Sequence, residues 1–290
     1  MGVLVRVLIT GAAGFIGSHL ADAFLERDCQ VTGVDNLLTG RNANVDSRVT
    51  LIHADVSDSR VWELMPDADL VVHCAASYSD PAEWQRDVQT NTVGTLLAAR
   101  FAHQAGARLL YFQTSLPPVS SYAISKIAGE QYLSLAGDHV VFRLANIYGP
   151  RNLSGPIPTF WKRITNGDPC TVVDTARDMV FIADLVRGVL AAIDSDVSGR
   201  FDMCSGTTYA IRELFDAVAS EVGVTVWNPQ TTPAGPDDVS KMELDPLRVW
   251  RELGWKADTT LREGVADACD WYATHGVDRT FTHLKLPAAA

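Results

Sequence analysis

Residues 5–17 read VRVLITGAAGFIG, and the fold follows from how this stretch is read. Its first half is a run of branched apolar residues broken only by Arg6, as expected of a strand buried on both faces. Its second half sets Gly11, Gly14 and Gly17 where that strand gives way to a helical run. Gly11 permits a tight turn, Gly14 lets backbone approach a pyrophosphate, and Gly17 lets the helix lie close on the strand, while free amides at the helix start receive negative charge. A glycine-rich turn alone is a weak signal. Here a second apolar run, QVTGV, follows the helical stretch and ends at Asp35. A carboxylate at that point can accept both hydroxyls of an adenosine ribose and would repel a 2′-phosphate, which favours NAD over NADP; Arg41 keeps the NADP reading open.

Beyond this unit, short apolar runs recur at 49–52, 70–73 and 109–112, with helical stretches between several of them, and further strands are expected at 139–144 and 199–203. The alternation predicts an α/β fold: a Rossmann-type doubly wound parallel sheet with a smaller mixed α/β C-terminal lobe. The expected organisation is a dinucleotide-binding domain over 1–146, its sheet completed from 178–206, and a substrate lobe over 147–290. In the latter the helix-like segments FWKRITNGDP, DLVRGVLAAI, IRELFDAVASEVGV and TTLREGVADACDWYATHG stand among Pro and Gly turns. The 290 residues are 47% apolar and 20% charged, which excludes a disordered chain, and the formal charge of −11 argues against a nucleic-acid polymer or an anionic membrane as partner. The five cysteines are scattered, with no metal-like cluster, so no metal is expected and reduced thiols of a cytoplasmic protein are the reading. The apolar start runs directly into the glycine turn and reads as a strand, not a leader.

Two more strand ends fit a dinucleotide. Asp55 would face the adenine amino group with Val56 against the ring, and His73-Cys74-Ala75-Ala76 ends the fourth strand in small residues where backbone passes close to a cofactor. His73 itself reads as a satisfied core histidine, and Asn91 as a bridge to backbone or cofactor or as a surface polar residue. The chemistry is expected in Tyr-Ala-Ile-Ser-Lys, 122–126. Four positions apart on a helix, Tyr122 and Lys126 share a face, so the ammonium can lower the phenol and hold a ribose, making a base near neutral pH. Upstream, LLYF runs into Gln113-Thr114-Ser115 and offers a hydroxyl for the same substrate oxygen.

With these residues in place the chain resembles the extended short-chain dehydrogenase/reductase family, in its NAD-dependent nucleotide-sugar epimerase, dehydratase and decarboxylase branch. The resemblance spans nearly the whole chain and rests on TGAAGFIG, DNLLTG (35–40), AD (54–55), HCAA (73–76), TN (90–91), YAISK, RLANIYGP (143–150) and RDMVFIADL (177–185). It implies NAD held by Gly11, Gly14, Phe15, Ile16, Gly17, Asp35, Asn36, Thr39, Gly40, Asp55, Val56, Ala75, Ala76, Asn91, Tyr122 and Lys126. It also implies a UDP-sugar or other nucleotide sugar met by Tyr78, Asn146 and Arg177, and a homodimer. An arginine fork suits phosphate oxygens, although Arg177 also stands beside Asp174 and Asp178. The implied reaction is a transient oxidation: Tyr122 takes the proton of the sugar C4 hydroxyl, Lys126 steadies the phenolate, and Thr114, or its neighbour Ser115, places the hydroxyl.

Departures from the family pattern narrow the outcome. Its 4,6-dehydratases carry Asp-Glu after the threonine, where this chain has Ser115 and Leu116, and its UDP-glucuronate decarboxylases place a Glu where Leu116 stands. UDP-sugar 4-epimerisation, with UDP-glucuronate one candidate, therefore ranks ahead of decarboxylation to a UDP-4-keto-pentose or UDP-xylose; a non-catalytic NAD sensor is the reading from another class. Only TSLPPVSSY joins Thr114 to Tyr122, where relatives have a longer substrate-facing loop, and Ser120 or Ser121 must cap the helix. In AGPDDV (234–239), Asp238 matches an acidic family position without its preceding Arg. Trp84, Trp161, Trp227, Trp250, Trp255 and Trp271 read as packing residues.

Overall fold

The structure is a computed structural model that describes residues 5–224, 228–234 and 244–281. In chain order the strands are β1 (Arg6–Thr10), β2 (Gln30–Asp35), β3 (Thr50–His53), β4 (Leu70–His73), β5 (Arg108–Thr114), β6 (His139–Leu144), β7 (Asn146–Tyr148), β8 (Thr171–Val173), β9 (Ala176–Phe181), β10 (Gly199–Met203), β11 (Thr208–Ala210) and β12 (Gln230–Thr232). The helices are α1 (Phe15–Leu25), α2 (Ser59–Glu63), α3 (Trp84–Asp87), α4 (Gly94–Ala105), α5 (Ser121–Gln131), α6 (Pro156–Asn166), α7 (Ile182–Ile193), α8 (Ile211–Val222), α9 (Leu247–Leu253) and α10 (Leu261–His275). The chain divides into two compact units, Met1–Arg143 with Ala192–Phe201, and Leu144–Ala191 with Asp202–Ala290.

The first unit is built on a sheet of order β3-β2-β1-β4-β5-β6-β10, the doubly wound order with one strand added at its edge. β1 pairs in parallel with both β2 and β4, so the strand order reverses on either side of it, and its last residue, Thr10, lies opposite Val34 and His73. The carboxyl ends of these strands therefore converge where an open α/β sheet binds its ligand. Val7, Leu8 and Ile9 of β1 and Val71 and Val72 of β4 are buried, as their unbroken apolar runs require. Of the segment 178–206 expected to complete this sheet, β10 joins it; β9 instead lies in a three-stranded sheet of order β11-β9-β7.

The second unit holds that small sheet and the parallel pair β12-β8. Its helices pack through aromatic rings. Phe160 meets Phe215 at 5.4 Å and Trp161 meets Tyr272 at 5.7 Å between centroids. The fully buried Tyr272 donates its hydroxyl to the Asn152 carbonyl at 2.9 Å. Thr260 and Glu263 cap α10 reciprocally. No helix among the described residues is long and apolar enough to cross a membrane.

Candidate active site

The turn after β1 has the geometry its glycines allow. Gly11 has a φ of +67°, and a β-carbon there would lie 2.7 Å from the Ala75 amide nitrogen; one on Gly17 would overlap the Gly11 carbonyl oxygen. Only glycine adopts the one and fits the other without strain. Gly14 leads into α1 in extended conformation, with no side chain capping the helix, so the first-turn amides, including those of Phe15 and Ile16, have no side-chain acceptor. Gly14 donates its own amide to the Gly11 carbonyl at 3.0 Å, closing the turn. Asp35 is buried and accepts the Ala13 amide on one oxygen at 2.9 Å and the Leu37 amide on the other at 2.7 Å. Burial raises its pKa, and the amides of Leu37 and Ala13 oppose that rise. The Gly14 amide bonds this carboxylate as well, and the acceptor capacity that these three amides leave can take a ribose hydroxyl. Leu37 holds a left-handed φ of 58°, a conformation pinned by that bond to Asp35.

The segment 36–44 wraps onto this turn. Gly40 sits where a β-carbon would come within 2.9 Å of the Ala13 side chain, with Thr39 half-buried beside it in sequence, and the Ala13 carbonyl accepts both the Arg41 amide and the Asn44 side chain. Asn44 escaped the sequence reading because a polar residue in a loop carries no pattern. Asn36 donates to Asp55 at 2.9 Å, while Ser57 bonds the other Asp55 oxygen through amide and hydroxyl. Burial would raise the Asp55 pKa, yet these donors from Ser57 and Asn36 hold it below the usual carboxylate range. Val56 is buried beneath Gly94.

His73 is a core histidine, as expected, and it is fully buried. The Ala75 amide donates to the Thr10 hydroxyl at 3.2 Å, which bonds Nδ1 of His73 at 2.8 Å; Nε2 bonds the Thr95 hydroxyl at 3.1 Å, which donates to the Asn91 carbonyl at 2.6 Å. Because Thr95 donates onward, Nε2 donates to it, and in the neutral ring Nδ1 then accepts from Thr10. Burial first, and the Lys126 charge second, push this imidazole down to about 3. The chain of bonds thereby fixes the half-buried Ala75 and Ala76 at the end of β4.

Asn91 lies on a wide turn, Val88–Val93, of π-helical geometry, a form that recurs at functional sites. It is 0% exposed; its amide group donates to the Ser77 carbonyl and the Ser125 hydroxyl, and its oxygen accepts the Ser77 amide. Of the readings open for it, the structure gives the bridge to backbone: both amide hydrogens tie the segment after β4 to α5. Ser125 in turn donates to the Tyr122 carbonyl at 2.9 Å, and Ser77 donates to the buried Asp87 at 2.7 Å.

Tyr122 and Lys126 stand on α5, which Ser120 caps by accepting the Ala123 amide. The Tyr78 ring meets the Tyr122 ring edge-on at 6.4 Å. Thr114 ends β5, accepts the Leu116 amide on its hydroxyl at 3.1 Å, and hydrogen-bonds Tyr122; Ser115 follows, half-buried. The electrostatics correct one expectation. Burial, and then Tyr78, push the Tyr122 phenol well above its ordinary value, and the Thr114 hydrogen bond is what opposes them. Lys126 is 3% exposed and pushed down to about 7 by burial, with Cys74 and Glu130 opposing that fall. A lysine so desolvated is only part-charged near neutral pH, which is why it does not set the phenol in the chain alone. Its ammonium lies 4.0 Å from the Tyr111 ring centre and has no hydrogen bond among the described residues. An ammonium with no acceptor, at the tip of a side chain whose stem is buried, fits a ribose hydroxyl, as the glycine turn fits a pyrophosphate.

In the second unit, Asn146 on β7 donates to the Asp178 carbonyl at 3.1 Å. Arg177 donates to the Thr175 hydroxyl and the Ala176 carbonyl, both at 2.8 Å. Asp178, on the opposite face of β9, accepts from Ser205 and Gly206. Asp238 and Trp227 lie outside the described residues. Trp255 packs in the core as expected, whereas Trp84 and Trp250 are exposed: each sits on a short helix and is met locally, Trp84 donating its indole N–H to the Pro81 carbonyl and the Trp250 ring centre lying 5.1 Å from the Lys256 ammonium.

The comparisons with known proteins agree with this geometry. Residues 7–204 match the NAD dependent epimerase/dehydratase family. The chain is 30% identical to a UDP-glucose 4-epimerase of Mycolicibacterium smegmatis over 92% of its own length and 98% of the relative's. It is similar to the Bordetella bronchiseptica enzyme WbmH, solved with NAD+, at 39% identity and a TM-score of 0.91, covering 94% of this chain and 100% of that one. It is also similar to WbmG of the same organism, solved with NAD and UDP, at 35% identity and a TM-score of 0.89, covering 98% and 100%. A match over more than half of the chain, on the strand-turn-helix and the Tyr-Lys helix described above, places it: the protein belongs to the NAD-dependent epimerase/dehydratase family.

Proposed function

We propose that this protein is an NAD-dependent nucleotide-sugar enzyme that works through a 4-keto sugar, with UDP-sugar 4-epimerisation as its net reaction and UDP-glucuronate as the first substrate to test. The observation that carries the reading is Thr114, Tyr122 and Lys126 meeting at the end of β5 and on one face of α5, in the unit that holds the glycine turn. NAD would be held by the turn over 11–17, Asp35 and the Asn36 and Asp55 pair, and by Lys126, whose ammonium, 4.0 Å from the Tyr111 ring centre, has no acceptor among the described residues and can be offered to a ribose. When bound, NAD supplies the acceptor and later donor of hydride at the sugar C4. Tyr122 takes and returns the C4 hydroxyl proton, and Thr114, its lone pair engaged by the Leu116 amide, donates to the oxygen that changes charge. Burial keeps Tyr122 protonated in the chain alone, so its base form is favoured by positive charge brought beside it. Ser115 serves as a second hydroxyl in the same turn. Tyr78 is read as a substrate contact beside Tyr122, and Asn146 and Arg177 as the diphosphate contacts.

Leu116 leaves no acid or base where elimination of water would need one, which supports epimerisation over dehydration. WbmG, solved with UDP, supports uridine as the base. The protein is further read as a cytoplasmic homodimer without a nucleic-acid partner. The deciding experiment follows absorbance of NADH on mixing the NAD-loaded protein with UDP-glucuronate, UDP-glucose and other nucleotide sugars, with mass spectrometry of the product. A transient NADH signal, unchanged product mass and a new chromatographic peak are expected; loss of carbon dioxide would make it a decarboxylase. Tyr122→Phe should abolish the transient, and normal turnover in that variant would remove the mechanism. Tightly held NAD with no conversion of any nucleotide sugar would leave the sensor.

A further inference from the structure

Two side chains of β5 converge on one backbone atom of the Tyr-Lys helix. Tyr111 and Gln113 alternate with Phe112 and so share one face of the strand. Both donate to the Lys126 carbonyl, at 2.9 Å from the Tyr111 hydroxyl and 3.2 Å from Gln113 Nε2. Gln113 does more. Its Nε2 also donates to Glu130 at 2.6 Å, and its Oε1 accepts the amide of Thr114 at 2.7 Å. Glu130 follows Lys126 by one helical turn and is held from the other side by Arg200 on β10. The three partners of Gln113 define its orientation: Thr114 offers an N–H, whereas Lys126 and Glu130 offer acceptors. A flipped amide would set its oxygen against two acceptors and its NH2 against a donor. Gln113 is buried, so water cannot replace a lost partner.

We propose that Gln113 is the positioning residue of this site: its amide, oriented by Glu130, sets the Thr114 hydroxyl against the turn of α5 that carries Lys126. The inference rests on the proposed roles of Thr114 and Lys126. It also accounts for how the site keeps its shape on a short connection. Residues 115–120 join β5 to α5 through Pro117, Pro118 and Val119, all three exposed, so the middle of that segment has little packing of its own to hold the two elements in register. The Gln113 amide provides a direct link between the elements, independent of the loop.

The test compares Gln113→Met, Glu130→Met and Glu130→Gln in the full chain loaded with NAD. Methionine keeps length and volume and removes the hydrogen bonds; glutamine at 130 keeps an acceptor for Gln113. Gln113→Met and Glu130→Met should each lower kcat for NADH formation by about tenfold or more, with KM for the nucleotide sugar changed by less than about threefold, because geometry at the reacting atoms is lost while binding is not. Glu130→Gln should recover most of that rate. Hydrogen exchange supplies a second readout: the Thr114 amide should exchange about tenfold faster in Gln113→Met, having lost its acceptor. A normal kcat in Gln113→Met, an unchanged Thr114 exchange rate, or equal damage from Glu130→Gln and Glu130→Met would overturn the proposal. A wild-type chain that forms no NADH with any nucleotide sugar would instead defeat the proposed function, and the exchange rates would still decide whether Gln113 holds Thr114.

Discussion

Among single residues, the site is dominated by groups held away from their ordinary ionisation. Lys126 shows the consequence for stability. Burial lowers its pKa to about 7, against a value near 10.5 in an unfolded chain. Between those limits the unfolded chain binds the proton that the folded chain has released, so this group makes the fold more stable as pH rises through that window. Below the folded pKa the full cost of burying a charged ammonium is present. Lys126→Met should therefore raise the melting temperature of the NAD-free protein at about pH 6.5 and raise it much less at about pH 10, while removing activity. Thermal denaturation of both proteins at the two pH values measures this, and a variant less stable than the parent at the lower pH would contradict it. The same reasoning explains why Tyr122 and Lys126 share a helix face yet do not tune each other in the chain alone: low dielectric penalises the charged form of both.

Among the elements, α1 lies against the glycine turn that follows β1 with no room to spare. A β-carbon at Gly17 would overlap the Gly11 carbonyl, a backbone atom that cannot rotate aside as a side chain could. Gly17→Ala should cost about 3 kcal/mol, the upper end for overpacking, and weaken NAD binding more than about tenfold because the same shift moves the first-turn amides. Urea denaturation and calorimetric titration with NAD report the two effects, and a variant with parental midpoint and affinity would show that the turn has more freedom than its geometry indicates. The helix bearing Tyr122 is anchored differently, through the Ser120 cap at its start, Asn91 and Ser125 along its side, and Gln113 at its centre. These anchors are polar, and the side-chain partners Asn91, Ser125 and Gln113 are buried, so each is an orientation as well as an attachment.

For the whole molecule, the apolar surface of the first unit bears on assembly. Trp84 on α3 is 64% exposed, Ile124 on α5 is 54% exposed, and Leu135 just beyond that helix is 68% exposed, in a unit where α3 packs on α5. Large apolar side chains so exposed on neighbouring helices suit a second copy of the chain. Light scattering should give the mass of a dimer for the parent and of a monomer for Ile124→Asp, with the circular dichroism spectrum unchanged; a monomeric parent would end the homodimer reading.

The cofactor-binding unit could be read from the order of residues alone. A two-sided apolar strand, three glycines at a helix start and Asp35 at the next strand end admit few arrangements, because each residue type answers a local steric or electrostatic demand. That Tyr122 and Lys126 lie on one helix, a turn apart, was legible for the same reason, since helical spacing is a local property. What surrounds them emerged only once the chain was folded: that Gln113 bonds Glu130 of α5, that Ser77 bonds the buried Asp87, that Asn91 is a clamp, that β9 leaves the large sheet, and that Trp84 faces outward. Those features arise from contacts between residues far apart in the chain, and the ionisation of the buried groups depends on how deeply packing removes each from water.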